Sequence, residues 1–419
     1  MHVRAVADEA LVAAALTIGR AFVADAVWRD GRCNWLGRSP DEALPGTPPT
    51  LAALGCDLYA GTAGVGLFLA ELGAATGDAD VTRTAIGGLR HALARAKDTP
   101  RMSPPSLYCG WIGIAYAAVR AGTLLERDDL CAQALALVAD ALAAAAPSRP
   151  LDVVLGDAGA ILGLLAIDRM RPSAELVAAA IGFAERIAAA AVRDGERWSW
   201  PSRAASGSDL GPRPLTGFAH GAAGIGLALC KAGHAGDRPD LRRAGENAFR
   251  YEDAVMDPLA GNWPDFRVDE RGAPIAGGAD GGSFAWCHGA PGCGLARLGA
   301  MMICPDASAP RAGASVALTT TLAQVRAAPV DRDIDVSLCH GVGGLTETLL
   351  VGASVLEDRS LAVAARALWA QLAARHAAAG SWPSGLPSKG RTLGLMLGTA
   401  GAGYALLRAA GASPSVLLL

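Results

Sequence analysis

The sequence predicts an all-α fold, an α/α toroid (double-layered barrel) of seven helix-pair repeats, on three observations. A short pattern of Gly, two residues and Gly, led by a small or polar residue and followed by an apolar run, recurs seven times. Successive copies lie about 46 to 68 residues apart, room for two helices of about 12 residues and their connections. The segments after each copy are apolar nearly all round, whereas those between scatter charges among Ala and Leu, so buried inner helices are expected to alternate with amphipathic outer ones.

Taken in order, the apolar stretch 11–18 follows Asp8 and Glu9 rather than a basic n-region, so it reads as a first helix and not a signal peptide. The first four copies are Leu58-Tyr-Ala-Gly61-Thr-Ala-Gly64, Leu107-Tyr-Cys-Gly110-Trp-Ile-Gly113, Val154-Leu-Gly156-Asp-Ala-Gly159 and Phe218-Ala-His-Gly221-Ala-Ala-Gly224. The other three are Trp286-Cys-His-Gly289-Ala-Pro-Gly292, Leu338-Cys-His-Gly341-Val-Gly-Gly344 and Met396-Leu-Gly398-Thr-Ala-Gly401. Inner helices are expected over segments such as 65–70 and 225–230, and outer helices over 129–145, 174–192 and 361–376. The glycines allow a tight turn into each inner helix and a close approach between neighbours. Trp200-Pro201, Trp263-Pro264 and Trp382-Pro383 interrupt helix and read as loops or short strands over one rim. No Ser/Gly linker or composition shift divides the 419 residues, so a single domain, 1–419, is expected, with the repeats over about 57–410.

Hydrophobic residues make up 52% of the chain and charged ones 18%, which rules out disorder. A net charge of −3, with no Lys/Arg cluster, argues against a nucleic-acid partner. No apolar run reaches the roughly 18 to 20 residues of a membrane span. Nine thinly spread cysteines read as reduced thiols, so a cytoplasmic monomer is expected.

All repeats share the glycines, but only three place metal-type ligands just before the first one: Ala219-His220, Cys287-His288 and Cys339-His340. In a toroid the starts of the inner helices converge on one mouth, so these remote residues are expected to meet. Cys287, Cys339 and His340 make a set of two thiolates and an imidazole, which suits zinc and leaves a fourth position open, as in catalytic sites. Cys33, Cys56, Cys109, Cys131, Cys230, Cys293 and Cys304 read as small core residues, and His91, His234 and His376 as surface residues.

On these residues the chain resembles the lanthionine synthetase C-like (LanC) family, zinc-dependent cyclases of lanthipeptide biosynthesis. The resemblance runs from Cys33-Asn-Trp-Leu36 and Asp57-Leu-Tyr-Ala-Gly61 to Gly398-Thr-Ala-Gly401. Its most specific pieces are Gly217-Phe-Ala-His220-Gly221, Trp286-Cys-His-Gly-Ala-Pro-Gly292 and Cys339-His340-Gly341. It implies Zn²⁺ on Cys287, Cys339 and His340, His220 as the acid/base histidine, Asp152 beside it, and His288 assisting proton transfer. A packing role for His288 and a helix N-cap role for Asp152 are the structural alternatives. The family's usual Arg four residues before the first zinc cysteine is replaced by Ser283, so its enolate-stabilising or substrate-orienting role is expected to fall to a neighbouring Arg or to His288.

The reaction so implied adds a peptide Cys thiolate to dehydroalanine or dehydrobutyrine, giving lanthionine or methyllanthionine, with a histidine cycling through both proton steps. The implied partners are a dehydrated precursor peptide and a separate dehydratase, since the repeats leave no room for a kinase, lyase or dehydratase domain. Two rival readings are a transferase adding glutathione or another free thiol to dehydrated residues, and a non-catalytic scaffold for a leader peptide. Retention of all three zinc ligands argues against the scaffold.

Overall fold

The computed structural model describes residues 8–38, 50–98, 104–146, 149–202, 211, 213–269, 273, 282–304, 309–376, 381–386 and 391–419. The outer layer holds α1 (Glu9–Asp25), α3 (Ala79–Arg95), α5 (Asp128–Ala143), α7 (Ala174–Ala189), α9 (Pro239–Val255), α11 (Ala309–Arg326) and α13 (Arg359–His376). The inner layer holds α2 (Thr62–Thr76), α4 (Trp111–Leu124), α6 (Asp157–Met170), α8 (Ala222–Ala235), α10 (Ala290–Ile303), α12 (Val342–Val355) and α14 (Thr399–Ala410). Each inner helix packs on the next, and α14 packs on α2, so the ring closes into an α/α toroid. Among the described residues no helix is long and apolar enough to cross a membrane.

Six outer helices pack on the inner helix that precedes them in sequence, and the seventh pair joins the two ends of the chain, with α1 on α14. The first helix therefore belongs to the last repeat. Outer helices start conventionally: Asp8 and Asp78 each accept two main-chain N–H groups at the head of α1 and α3. Inner helices begin at a glycine without a side-chain cap, and burial takes over: all twelve residues 62–73 of α2 are buried, including Glu71, which pairs with Arg120 at 2.6 Å.

The repeat has a steric cause. A Cβ on the second glycine of any copy would lie 1.6–2.5 Å from the carbonyl oxygen six residues earlier in its own loop. It would also lie 2.7–3.4 Å from a side chain of the preceding unit, Gly64 meeting Leu395 across the point of closure. Both clashes exclude any larger residue. The side chains so contacted, Leu58, Phe218 and Trp286 among them, are buried and plug the axis beneath the mouth.

The Trp-Pro segments lie at the ends of outer helices. Trp200 follows a hairpin of β5 (Val192–Asp194) and β6 (Arg197–Ser199), which is why the outer helix stops at Ala189 and not at Val192. Two further hairpins, β1 (Val27–Arg29) with β2 (Arg32–Asn34) and β3 (Leu36–Arg38) with β4 (Leu51–Ala53), link α1 to the first repeat. The indoles of Trp35, Trp200 and Trp263 donate to Phe22, Ile187 and Glu252, satisfying last-turn carbonyls of α1, α7 and α9. Of the histidines expected at the surface, His91 is half-buried and His376 is buried. His91 bonds Thr62 and Asn34, and His376 is buried with its ring 5.4 Å from Trp382. His91 meets the head of α2 and His376 is covered by Trp382, contacts that the local sequence does not reveal.

Candidate active site

The loops that lead into the inner helices are stitched together by main-chain hydrogen bonds. These run from Tyr59 to Tyr108, Val153 to Ala219, Ala219 to Cys287, Cys287 to Cys339, Cys339 to Met396 and Met396 to Tyr59, at 2.8–3.2 Å. Three successive residues of each loop thus form three rows around the mouth: the apolar plug, then the row of Cys287 and Cys339, then the row of His220, His288 and His340. Neighbouring rungs of the ring bring Cys287 and Cys339 together across 52 residues of sequence (339 − 287). All seven inner helices start here, so their positive dipole ends favour negative charge at this mouth.

The Cys287 and Cys339 thiols share a hydrogen bond, and the Tyr59 hydroxyl donates to Cys339 Sγ at 3.1 Å. The bond from Cys339, aided against burial by His340, Arg267 and His220, lowers the Cys287 pKa to about 6. The same bond, with burial, pushes the Cys339 thiol up. The pair therefore retains a proton while presenting one thiolate.

His340 Nδ1 meets Asp335 Oδ2 at 3.0 Å, while Asp335 Oδ1 accepts from Ser337 N at 2.7 Å. His220 is built the same way: Asp152 Oδ2 engages its Nδ1 at 2.9 Å and Asp152 Oδ1 accepts from Leu155 N at 2.7 Å. Asp152 thus caps its loop and orients the histidine at once. Burial pulls the His220 imidazolium down, but the Asp152 charge and hydrogen bond more than offset it, so its pKa rises.

His288 differs. It is fully buried, its Nδ1 lies 3.3 Å from Thr216 O, and its Nε2 has no partner among the described residues. Burial, then the Arg267 charge, lowers its pKa to about 3, so it is neutral. Its ring stacks 6.1 Å from that of His220, adjacent but on the protein side of the mouth. Backbone fit explains the loops: Gly217 and Gly289 take φ +98° and +89°, and a Cβ on Gly217 would lie 2.6 Å from Cys287 O.

Ser283 Oγ donates to Asp265 Oδ2 at 3.1 Å, and Asp265 holds Arg267 through Nε and Nη2. Asp335, Tyr59, Asp265 and Arg267 are site residues the motif pattern does not reveal. Among the described residues no group of three His, Cys, Asp or Glu side chains is already gathered to hold a metal. The donor chemistry nonetheless fits zinc: two soft sulfurs, one of them readily ionised, and an imidazole whose Nδ1 is taken by a carboxylate, leaving Nε2 for coordination. A cavity of about 900 Å³ opens at the other pole, among Arg120, Arg169 and Arg408, and contains none of these residues.

A family model described as lanthionine synthetase C-like protein matches residues 52–418. A solved structure titled nisin cyclase superposes with a TM-score of 0.61 at 18% sequence identity, covering 84% of this chain and 87% of its own. At that identity the likeness bears on fold. No curated protein sequence matches the chain.

Proposed function

The chain belongs to the lanthionine synthetase C-like family, and from that membership we propose that it is a zinc-dependent cyclase, closing thioether rings in a dehydrated peptide. One observation carries the reading: two cysteines stand on neighbouring rungs of a mouth that also holds two histidines, each oriented through Nδ1 by its own carboxylate. Cys287, Cys339 and His340 would hold the metal. Bound there, zinc supplies the Lewis acidity that keeps a substrate cysteine ionised near neutral pH.

The protein's own groups do the rest. Asp335 fixes the His340 tautomer, and the Tyr59 hydroxyl steadies Cys339. His220 accepts the substrate thiol proton at Nε2, with Asp152 stabilising the imidazolium. The thiolate adds to Cβ of the dehydro residue, and His220 returns the proton to Cα, so one S–H is added across one C=C with no oxidant. His288, neutral and stacked beside His220, assists by keeping that ring in place. A single domain, one continuous core, a cytoplasmic monomer with free thiols and a separate dehydratase belong to the same proposal.

A peptide with one dehydroalanine and one cysteine tests the reaction. After incubation its mass should be unchanged and its thiol should resist alkylation, whereas the undehydrated Ser/Cys peptide should stay fully alkylatable. With glutathione present, a mass gain of one glutathione would instead establish the intermolecular transferase. No thiol protection with any dehydrated peptide would leave the scaffold.

A further inference from the structure

Each Trp-Pro segment ends at one of the three histidines of the mouth, a juxtaposition that the glycine repeat does not require. Ser202, after Trp200-Pro201, donates through Oγ to the main-chain oxygen of His220 at 3.0 Å. Asp265, after Trp263-Pro264, sets Oδ1 3.9 Å from His288 Nδ1. The third segment, Trp382-Pro383-Ser384-Gly385-Leu386, comes to His340, the histidine proposed as a metal ligand, and meets it with bare backbone.

This strap is fixed at both ends. Trp382 and Leu386 are buried, and the Trp382 ring lies 6.4 Å from that of Trp369 and 5.4 Å from that of His376. Between those anchors Gly385 N donates to Leu397 O at 2.9 Å, in the loop that leads into α14, and Leu386 N donates to Ser384 Oγ at 3.3 Å. Gly385 takes no positive φ, so its backbone conformation would admit another residue. Space would not. A Cβ there would lie 2.6 Å from His340 Cε1 and 3.0 Å from both Ser337 Oγ and Leu397 Cδ2, well inside the ordinary carbon contact of about 3.5–4.0 Å.

The imidazole of His340 is therefore met on two adjacent ring atoms: Asp335 Oδ2 engages Nδ1 at 3.0 Å, and the strap lies against Cε1. Ser337 Oγ, beside the same strap, accepts from His340 N at 3.4 Å and Gly341 N at 3.1 Å, so the ring and the main chain of this residue are set from one side. His340 has more need of a wall than its neighbours. Its side chain is 39% exposed, against 21% for His220 and 1% for His288, and one hydrogen bond leaves an exposed ring free to pivot. A metal site tolerates ligand distances wrong by only about 0.2 Å. A side chain at 385 would drive the ring back by roughly 1 Å, because the strap, held at both ends, is the stiffer partner.

We infer that Gly385 is a positioning residue of the site, the wall that sets the His340 ring for coordination, and that its lack of a side chain is what permits the contact. The consequence for metal binding rests on the zinc reading proposed above; the wedge between Asp335 and the strap does not.

Gly385→Ala is the smallest change that fills the contact. The full chain, wild type and variant, is compared in three measurements: zinc affinity by competition with a chromophoric chelator, the ring C–H resonances of the histidines in metal-free protein, and thermal unfolding of metal-free protein. Zinc affinity should fall about 10–100-fold in Gly385→Ala, the usual cost of disturbing a group that orients a metal ligand. The His340 ring resonance should shift while those of His220 and His288 stay, and metal-free unfolding should change little, since an exposed ring turns into water at small cost. Gly385→Ser should match Gly385→Ala, because the Cβ makes the collision. An unchanged zinc affinity, or a His340 resonance that stays in place, would overturn the assignment. So would a loss of affinity in which all three histidines shift or the metal-free protein unfolds at a much lower temperature, the mark of a strap deformed as a whole. Wild-type protein that takes up no zinc would overturn the metal reading instead, and the ring spectrum would still decide whether Gly385 sets His340.

Discussion

Asp152 and Asp335 each spend one oxygen on a loop N–H and the other on a histidine Nδ1. Two histidines with the same bracing are proposed for different work, His340 to hold the metal and His220 to move the proton. His220→Ala should keep zinc and fold yet slow cyclisation by about 10²–10⁴-fold, the usual worth of a general acid/base. Release of the metal by that variant would assign His220 to the ligands instead. The pH profile carries a sign. His220 must be neutral to accept the thiol proton, so kcat/KM should fall as pH drops through its pKa, which Asp152 has raised. In Asp152→Asn burial acts without the opposing carboxylate, the pKa falls, and the acid limb should move to lower pH. A limb that stays put would separate Asp152 from His220. Asp152 could be found in the sequence because it belongs to a motif. Asp335 could not, since it stands five residues before its histidine, and neither could Tyr59, whose partner Cys339 lies in another repeat.

At the scale of elements, the His220 loop hangs on one carboxylate. Glu252 of α9 accepts from Gly217 N at 2.8 Å and Ala223 N at 2.9 Å through Oε1, and pairs Arg297 of α10 through Oε2 at 3.1 Å. Both side chains of that pair are fully buried. Glu252→Ala should cost about 3–5 kcal/mol in denaturant unfolding, since the buried Arg297 keeps only Asp253 as a charged partner, beside the carbonyls of Cys293 and Phe249, and two loop N–H groups lose their acceptor. A cost near zero would mean that the loop is held by its glycines alone. The glycines themselves divide into two kinds. In α7 a Cβ on Gly182 would meet nothing within 4 Å, so Gly182→Ala should stabilise by about 0.5–1 kcal/mol. A Cβ on Gly113 would lie 1.6 Å from Leu107 O, so Gly113→Ala should destabilise by at least about 1–3 kcal/mol. Thermal unfolding of the two variants reads opposite signs, and equal signs would refute the steric origin of the repeat.

For the whole molecule, the seven-fold repeat was legible because each unit carries the same steric demand at the same two glycines, and the layer of each helix followed from where its charges fall. The partner of α14 was not legible. Its outer helix is α1, nearly four hundred residues away, and closure of a ring is a property of geometry that no local pattern records. The burial of His376 was hidden for a similar reason, since Trp382 covers it from beyond the end of its helix. What the ring does with the repeat is to set two cysteines on neighbouring rungs, with a histidine following each in its loop, and the claim that this is a metal site is the centre of the functional reading. Metal analysis of the purified chain tests it directly. Wild type should carry about one zinc per chain, the stoichiometry of a three-ligand catalytic site, and the Cys287→Ala/Cys339→Ala double variant should carry none. Full zinc occupancy in the double variant would contradict it.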